Sequence, residues 1–110
     1  MRLKNKVAIV TGGASGIGAA TCRLYAQEGA AGIVVADINE EGGQSVANNI
    51  VEAGGEAIFI HLDVSVESQW IDTVNAAVKR YGRLDITVNN AGMSVPESRV
   101  KVEETTVEIG

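Results

Sequence analysis

Thr11-Gly12-Gly13-Ala14-Ser15-Gly16-Ile17-Gly18 is the segment of this 110-residue chain with the most chemical content. It follows a short apolar run, Lys6-Val-Ala-Ile-Val10, and opens a stretch with helical spacing. The first turn of a helix offers backbone N–H groups without intrahelical partners and the positive end of the helix dipole, so such a junction attracts phosphate. Glycines permit the tight turn and let a pyrophosphate come close to the backbone. The spacing is G-x-x-x-G-x-G, not the G-x-G-x-x-G of the usual dinucleotide fingerprint. A glycine-lined turn without a ligand is the plain alternative, and the strand–turn–helix context weighs against it.

Three further groups sit where the next apolar runs end. Asp37 closes the second run, at an offset near the ~20 residues expected of an acidic group that binds the adenosine ribose hydroxyls. A carboxylate there accepts hydrogen bonds from a diol and repels a 2′-phosphate, so NAD is expected over NADP. No arginine or lysine lies at the glycine turn or just after Asp37, which agrees. The plain alternative is an aspartate at a helix start. Asp63-Val64 follows the third run. Asp63 could bond an adenine amino group and Val64 could pack on the ring, or Asp63 could simply complement a helix dipole; the residues alone do not separate the two. Asn89-Asn90-Ala91-Gly92 closes the fourth run. Its side-chain amides can pin neighbouring backbone and Gly92 allows close approach, although on its own the pattern also fits a simple turn.

The elements that must position these groups alternate regularly. Strands are expected at Lys6–Val10, Ile33–Ala36, Ala57–Ile60 and Leu84–Val88, the first nearly continuous in apolar residues, as in a strand buried on both faces. Between them, Ile17, Ala20, Thr21, Leu24 and Tyr25 mark a first helix, with Gly29 as its stop. Val46, Ala47, Ile50, Val51 and Ala53 mark a second, ended by Gly54-Gly55. Trp70, Ile71, Val74, Ala77, Val78 and Tyr81 mark a third, with Ser65 as N-cap and Gly82 as stop. This β-α-β-α-β-α-β pattern implies parallel pairing with right-handed crossovers. The expected fold is α/β, a partial doubly wound (Rossmann-type) parallel sheet of four strands in the order 3-2-1-4. The carboxyl ends of all four strands then form one rim, where ligands of such sheets bind. Residues 93 to 102 read as loop, and Glu103 to Gly110 as the possible opening of a fourth helix.

Composition narrows the field. The chain is 45% hydrophobic and 21% charged, with a net charge of −5. That is a globular balance, and the acidic excess speaks against a nucleic-acid partner. No apolar run approaches the ~20 residues of a membrane span, and the N-terminus lacks the ~7–15 apolar residues of a secretory signal, so a cytoplasmic protein is expected. One cysteine and one histidine exclude a disulfide framework and leave little for a zinc site, so no metal is expected. Cys22, inside the first helix, reads as a small buried residue; His61 reads as a hydrogen-bonded structural residue of the third strand; Trp70 reads as core or interface. Glu103, Glu104 and Glu108 read as a solvated face.

Taken together, TGGASGIG at 11–18, Asp37, the Asp63-Val64 pair and NNAG at 89–92 resemble the short-chain dehydrogenase/reductase family in order, spacing and strand-end placement. The resemblance covers essentially the whole chain, as the N-terminal, cofactor-binding half of the family's fold. It implies that Gly12, Ser15, Gly16, Ile17 and Gly18 contact the cofactor pyrophosphate region. It further implies that Asp37 takes the adenosine ribose, as in NAD-preferring members, and that Asp63 and Val64 hold the adenine. Asn90, Ala91 and Gly92 would line the ribose and nicotinamide side, while Asn89 steadies the central strands.

Family members move a hydride between nicotinamide and an alcohol or ketone carbon, using a serine and a Tyr-x-x-x-Lys pair. Here the chain departs from the pattern. Its tyrosines are Tyr25 and Tyr81, four positions before Gly29 and Asp85, and both read as core. Ser94 follows NNAG and no fifth strand, so it does not match the catalytic serine. No catalytic residue can be named. The expectation is a single domain over 1–110, the N-terminal part of an NAD-dependent short-chain oxidoreductase, inactive alone, whose full-length form is a homo-oligomer acting on a small alcohol or ketone. The alternative is a stand-alone, non-catalytic NAD-binding or interaction module. Intact mass of the native product separates the two.

Overall fold

The computed structural model describes residues 3–90. The expectations for residues 91–110, including the loop after Met93, Ser94, the helix opening at Glu103 and the solvated acidic tail, lie outside the described residues. Four strands and three helices alternate: β1 (Val7–Thr11), α1 (Gly16–Gln27), β2 (Gly32–Asp37), α2 (Glu40–Glu52), β3 (Ala57–His61), α3 (Glu67–Tyr81) and β4 (Ile86–Asn89). The sheet runs β3-β2-β1-β4 with every pairing parallel, the expected order.

The apolar strands are continuous because both faces of the sheet are covered. Successive side chains point to opposite faces, and the two cores divide accordingly. Val10, Ile33 and Val35 pack with Ala19 and Cys22 of α1 and with Val46, Ala47 and Ile50 of α2. Their neighbours Ile9, Val34 and Ala36 pack with Trp70 and Ala77 of α3 and with Leu62 and Val64. Helices on both faces fix the strand ends as the open rim. Cys22 is fully buried, as expected, and burial pushes its thiol up to about 12. That leaves a packing residue, not a nucleophile.

Several local expectations change. The stripe read for α1 faces outward at Ile17 and Leu24, which are 75% and 52% exposed, and the buried face is Gly18, Ala19 and Cys22. Small residues let the helix approach the sheet closely, and periodicity in larger apolar residues cannot see that. Likewise Val51, Ile71 and Val78 are exposed, while Thr73 joins the buried face of α3. The N-cap of α3 is Val66, which makes no side-chain cap bond, and not Ser65. Ser65 lies one residue before the cap position, and its hydroxyl makes a charge-assisted bond to Asp63 Oδ1 at 2.6 Å. His61 lies exposed at the end of β3, paired in register with Asp37. Tyr25 and Tyr81 are half-buried against the cores, as read.

The first strand is fastened to the fourth at the end away from the rim. Asp85 Oδ2 accepts from the Val7 N–H at 2.9 Å, and the Asp85 N–H donates to the Val7 carbonyl at 2.9 Å. Arg83 donates to both carboxylate oxygens, at 2.8 and 2.7 Å, and the Asp85 side chain is only 13% exposed. The Arg83 guanidinium and then the Val7 N–H hold the Asp85 carboxyl below its usual range, against the opposing effect of burial. A depressed folded-state pKa adds stability that is complete above the unfolded value of ~3.9 and lost as pH falls through the folded one. Asp85→Ala is expected to cost about 1–3 kcal/mol in urea unfolding at neutral pH. The gap to wild type should close on acidification below pH ~4. A gap independent of pH would contradict the role of the carboxylate charge.

Candidate functional site: the rim of the sheet

The rim begins at the glycine turn. Gly12 has φ 65°, a left-handed conformation that glycine adopts without strain, and its carbonyl accepts from the Ser15 N–H at 3.1 Å and the Ser15 hydroxyl at 2.7 Å. Ser15 is the N-cap of α1, and its Oγ accepts from the Gly18 N–H at 3.3 Å. By helix geometry the Gly16 and Ile17 N–H groups lack intrahelical partners. The first turn of α1 carries no acidic side chain, whereas α2 has Glu40 and Glu41 and α3 has Glu67 at that place. The helix itself supplies no carboxylate at its positive end, and the charge nearest to it comes from Asp37, bonded to the Ala14 N–H. Gly18 is buried directly beneath Gly12, so the turn folds back onto the helix.

Asp37 ends β2 and reaches the same turn. Its Oδ2 accepts from the Ala14 N–H at 3.0 Å and its Oδ1 from the Asn39 N–H at 2.9 Å. The Gly13 N–H donates to the Ala36 carbonyl at 3.1 Å, so two bonds tie the turn to the second strand. Asp63 lies beyond β3. Its Oδ1 accepts from both the Ser65 hydroxyl and the Ser65 N–H, and these bonds hold its carboxyl below the usual range.

At the fourth strand the Thr11 hydroxyl is the organising group. It donates toward Asn89 Oδ1 at 2.8 Å and the Val88 carbonyl at 3.3 Å, and accepts from the Asn90 N–H at 3.1 Å. Thr11 is fully buried. Asn90 is thereby fixed at the rim, and its Nδ2 is buried with no partner among the described residues. A buried donor without an acceptor is costly, and the Tyr81 hydroxyl is in the same position elsewhere in the fold. Thr11→Val keeps the shape and removes both functions of the hydroxyl. It is expected to lower stability by about 1–3 kcal/mol and to take from Asn89 Oδ1 its Thr11 donor, while the Asn90 N–H keeps its bond to the Thr11 carbonyl at 3.2 Å. Thermal unfolding would register it; a variant as stable as wild type would contradict it.

These groups converge on one cleft of about 490 Å³, lined by Gly12, Ser15, Asp37, Ile38, Leu62, Asp63, Val64, Ser65 and Asn90. That volume lies within the usual range of small-molecule sites. Six of the residues singled out in the sequence meet there: Gly12, Ser15, Asp37, Asp63, Val64 and Asn90. Gly16 and Ile17 are exposed at the start of α1, and Gly18 supports the turn from below. Ala91 and Gly92 lie outside the described residues. Sequence reasoning missed Ile38, Leu62 and Ser65 as lining and Thr11 as the hub. Ile38, 64% exposed, carried a signal in being a large apolar residue directly after the strand-ending aspartate.

The sequence pattern described as short chain dehydrogenase matches residues 6–109. The chain belongs to the short-chain dehydrogenase family. Among curated short-chain dehydrogenase relatives, Tropinone reductase-like 2 from Erythroxylum coca is 47% identical over 111 residues, covering 97% of this chain and 39% of that protein. The 2,5-dichloro-2,5-cyclohexadiene-1,4-diol dehydrogenase LinX of Sphingobium indicum is 46% identical over 95 residues, covering 86% of this chain and 38% of LinX. A solved hydroxysteroid dehydrogenase from Escherichia coli superposes with a TM-score of 0.80 at 28% identity, covering 98% of this chain and 53% of that one. The chain thus spans well under half the length of these curated relatives. Short-chain dehydrogenases bind a nicotinamide cofactor, and the four-stranded sheet with its helices corresponds to about half of the solved relative. Among the described residues no helix is long and apolar enough to cross a membrane, and no three metal-binding side chains cluster.

Proposed function

We propose that residues 1–110 are the NAD-binding, N-terminal part of one domain of a short-chain oxidoreductase that exchanges a hydride with an alcohol or ketone. The observation that carries the reading is the Asp37 carboxylate, held at the lip of the 490 Å³ cleft by the backbone of the glycine turn. The donor set fits a dinucleotide. The N–H groups at the start of α1 suit the pyrophosphate, with its charge met by the positive end of the helix dipole. Each Asp37 oxygen has a second lone pair for a ribose hydroxyl. Asp63, Val64 and the exposed Ile38 offer an acceptor and two apolar surfaces for adenine. The Asn90 side chain belongs to the nicotinamide side, to which the family resemblance also assigns Ala91 and Gly92.

Among the described residues no arginine or lysine lines the cleft to neutralise a 2′-phosphate beside Asp37. When bound, the nicotinamide ring supplies or accepts the hydride. The residues of this chain bind and orient the cofactor. Neither Tyr25 nor Tyr81 is followed by a lysine four positions on, so we place proton transfer to the substrate on residues outside this chain. Titration of NAD and NADP into the gene product as its source makes it tests the reading. NAD should bind at least about tenfold tighter, the worth of one charge-assisted hydrogen bond. Equal affinity, or a preference for NADP, would overturn it.

A further inference from the structure

The loop after β3 contains a small, closed set of hydrogen bonds that a helix start does not require. The Ser65 hydroxyl and the Ser65 N–H both bond Asp63 Oδ1, at 2.6 and 3.0 Å. The Asp63 N–H donates to the Gln69 Oε1 at 2.9 Å, from one turn into α3. The carboxylate is therefore held at one oxygen and its backbone at the amide. Oδ2 takes no bond from a described residue. Asp63, Val64 and Ser65 all line the cleft, and Val64 beside them is buried.

We propose that Ser65 is a positioning residue that makes Asp63 select the 6-amino edge of adenine over a 6-oxo purine. The inference rests on the reading that this cleft takes the adenine end of NAD. A carboxylate fixed through Oδ1 presents Oδ2 as a pure acceptor. An exocyclic N–H satisfies it. The 6-carbonyl of hypoxanthine sets oxygen against oxygen and leaves both without a donor. Discrimination against an isostere with the wrong hydrogen-bonding sense needs this rigidity, because a carboxylate free to rotate turns away from the clash. Without the serine hydroxyl, Asp63 keeps its charge and the Ser65 N–H bond at 3.0 Å, and loses the shorter of the two bonds that fix its direction.

The probes are NAD and nicotinamide hypoxanthine dinucleotide, titrated calorimetrically into the gene product as its source makes it. Wild type should favour NAD by about tenfold. Ser65→Ala, an exposed position that keeps the backbone bond to Oδ1, should fold normally and narrow the preference for NAD to about threefold. Ser65→Thr retains the hydroxyl and should keep the wild-type ratio. A Ser65→Ala variant that weakens both dinucleotides equally would overturn the proposal and leave Asp63 as adenine ligand intact. Equal binding of both by wild type would overturn the adenine reading, and the positioning role with it.

Discussion

Gly18→Ala is expected to lower stability by about 1–3 kcal/mol and to cut NAD affinity about a hundredfold. A Cβ at Gly18 would collide with the Gly12 carbonyl oxygen, and would lie 2.7 Å from the Gly12 carbonyl carbon and 3.0 Å from the Gly13 Cα. All three obstacles are backbone, so no rotamer change relieves them. Either α1 retreats from the sheet or the turn opens, and opening the turn breaks the two Ser15 bonds to the Gly12 carbonyl. Both outcomes displace the N–H groups that meet the pyrophosphate. Gly16→Ala is the matched control. An added Cβ there has nothing within 4 Å. Exchanging glycine for alanine at this first helical position should leave stability unchanged or raise it by up to about 1 kcal/mol. Any affinity lost in Gly16→Ala then reports the ligand passing over that point. Thermal unfolding and NAD titration of the pair check both statements. Equal stability of the two variants would contradict the packing argument.

Asp37→Ala is expected to weaken NAD about a hundredfold while changing NADP affinity much less. Two hydrogen bonds from ribose hydroxyls to a charged acceptor are lost for NAD. For NADP the repulsion of a 2′-phosphate is removed at the same time. The variant also gives up the acceptors of the Ala14 and Asn39 N–H groups, so a modest shared loss falls on both cofactors through the glycine turn. The ratio of the two dissociation constants isolates the ribose contribution from that shared loss. A ratio unmoved by the substitution would show that Asp37 acts only as a clasp for the turn.

The architecture was largely legible because its signals are one-dimensional. Continuous β-branched runs mark strands covered on both faces, and glycines at 29, 54 and 82 mark helix ends, where each takes a positive φ. Parallel pairing and the order 3-2-1-4 follow from the connections between these elements. The site was legible to the extent that strand ends share a rim: Gly12, Asp37, Asp63 and Asn90 are far apart in the chain and line one cleft. What escaped depends on distances between elements. The buried face of α1 is built from glycine, alanine and cysteine, which carry little hydrophobic signal, while Ile17 and Leu24 drew the reading to the wrong side. Ser65 has the chemistry of an N-cap but lies one residue before the cap position, where its hydroxyl bonds Asp63. Thr11 looked like one more turn residue until β4 came alongside and gave it Asn89 and Asn90 as partners.

The central claim is that NAD occupies the rim cleft. The most direct measurement is amide chemical-shift mapping of the gene product during NAD titration. Saturable shifts are expected at Gly12 through Gly18, Asp37, Asp63, Val64 and Asn90, and at Ala91 and Gly92. A second groove of about 250 Å³ lies between the C-terminal ends of α1 and α2, lined by Arg23, Gln27, Asn49 and Gly54 among others. Shifts confined to that groove, or no saturable shifts at the rim, would contradict the account.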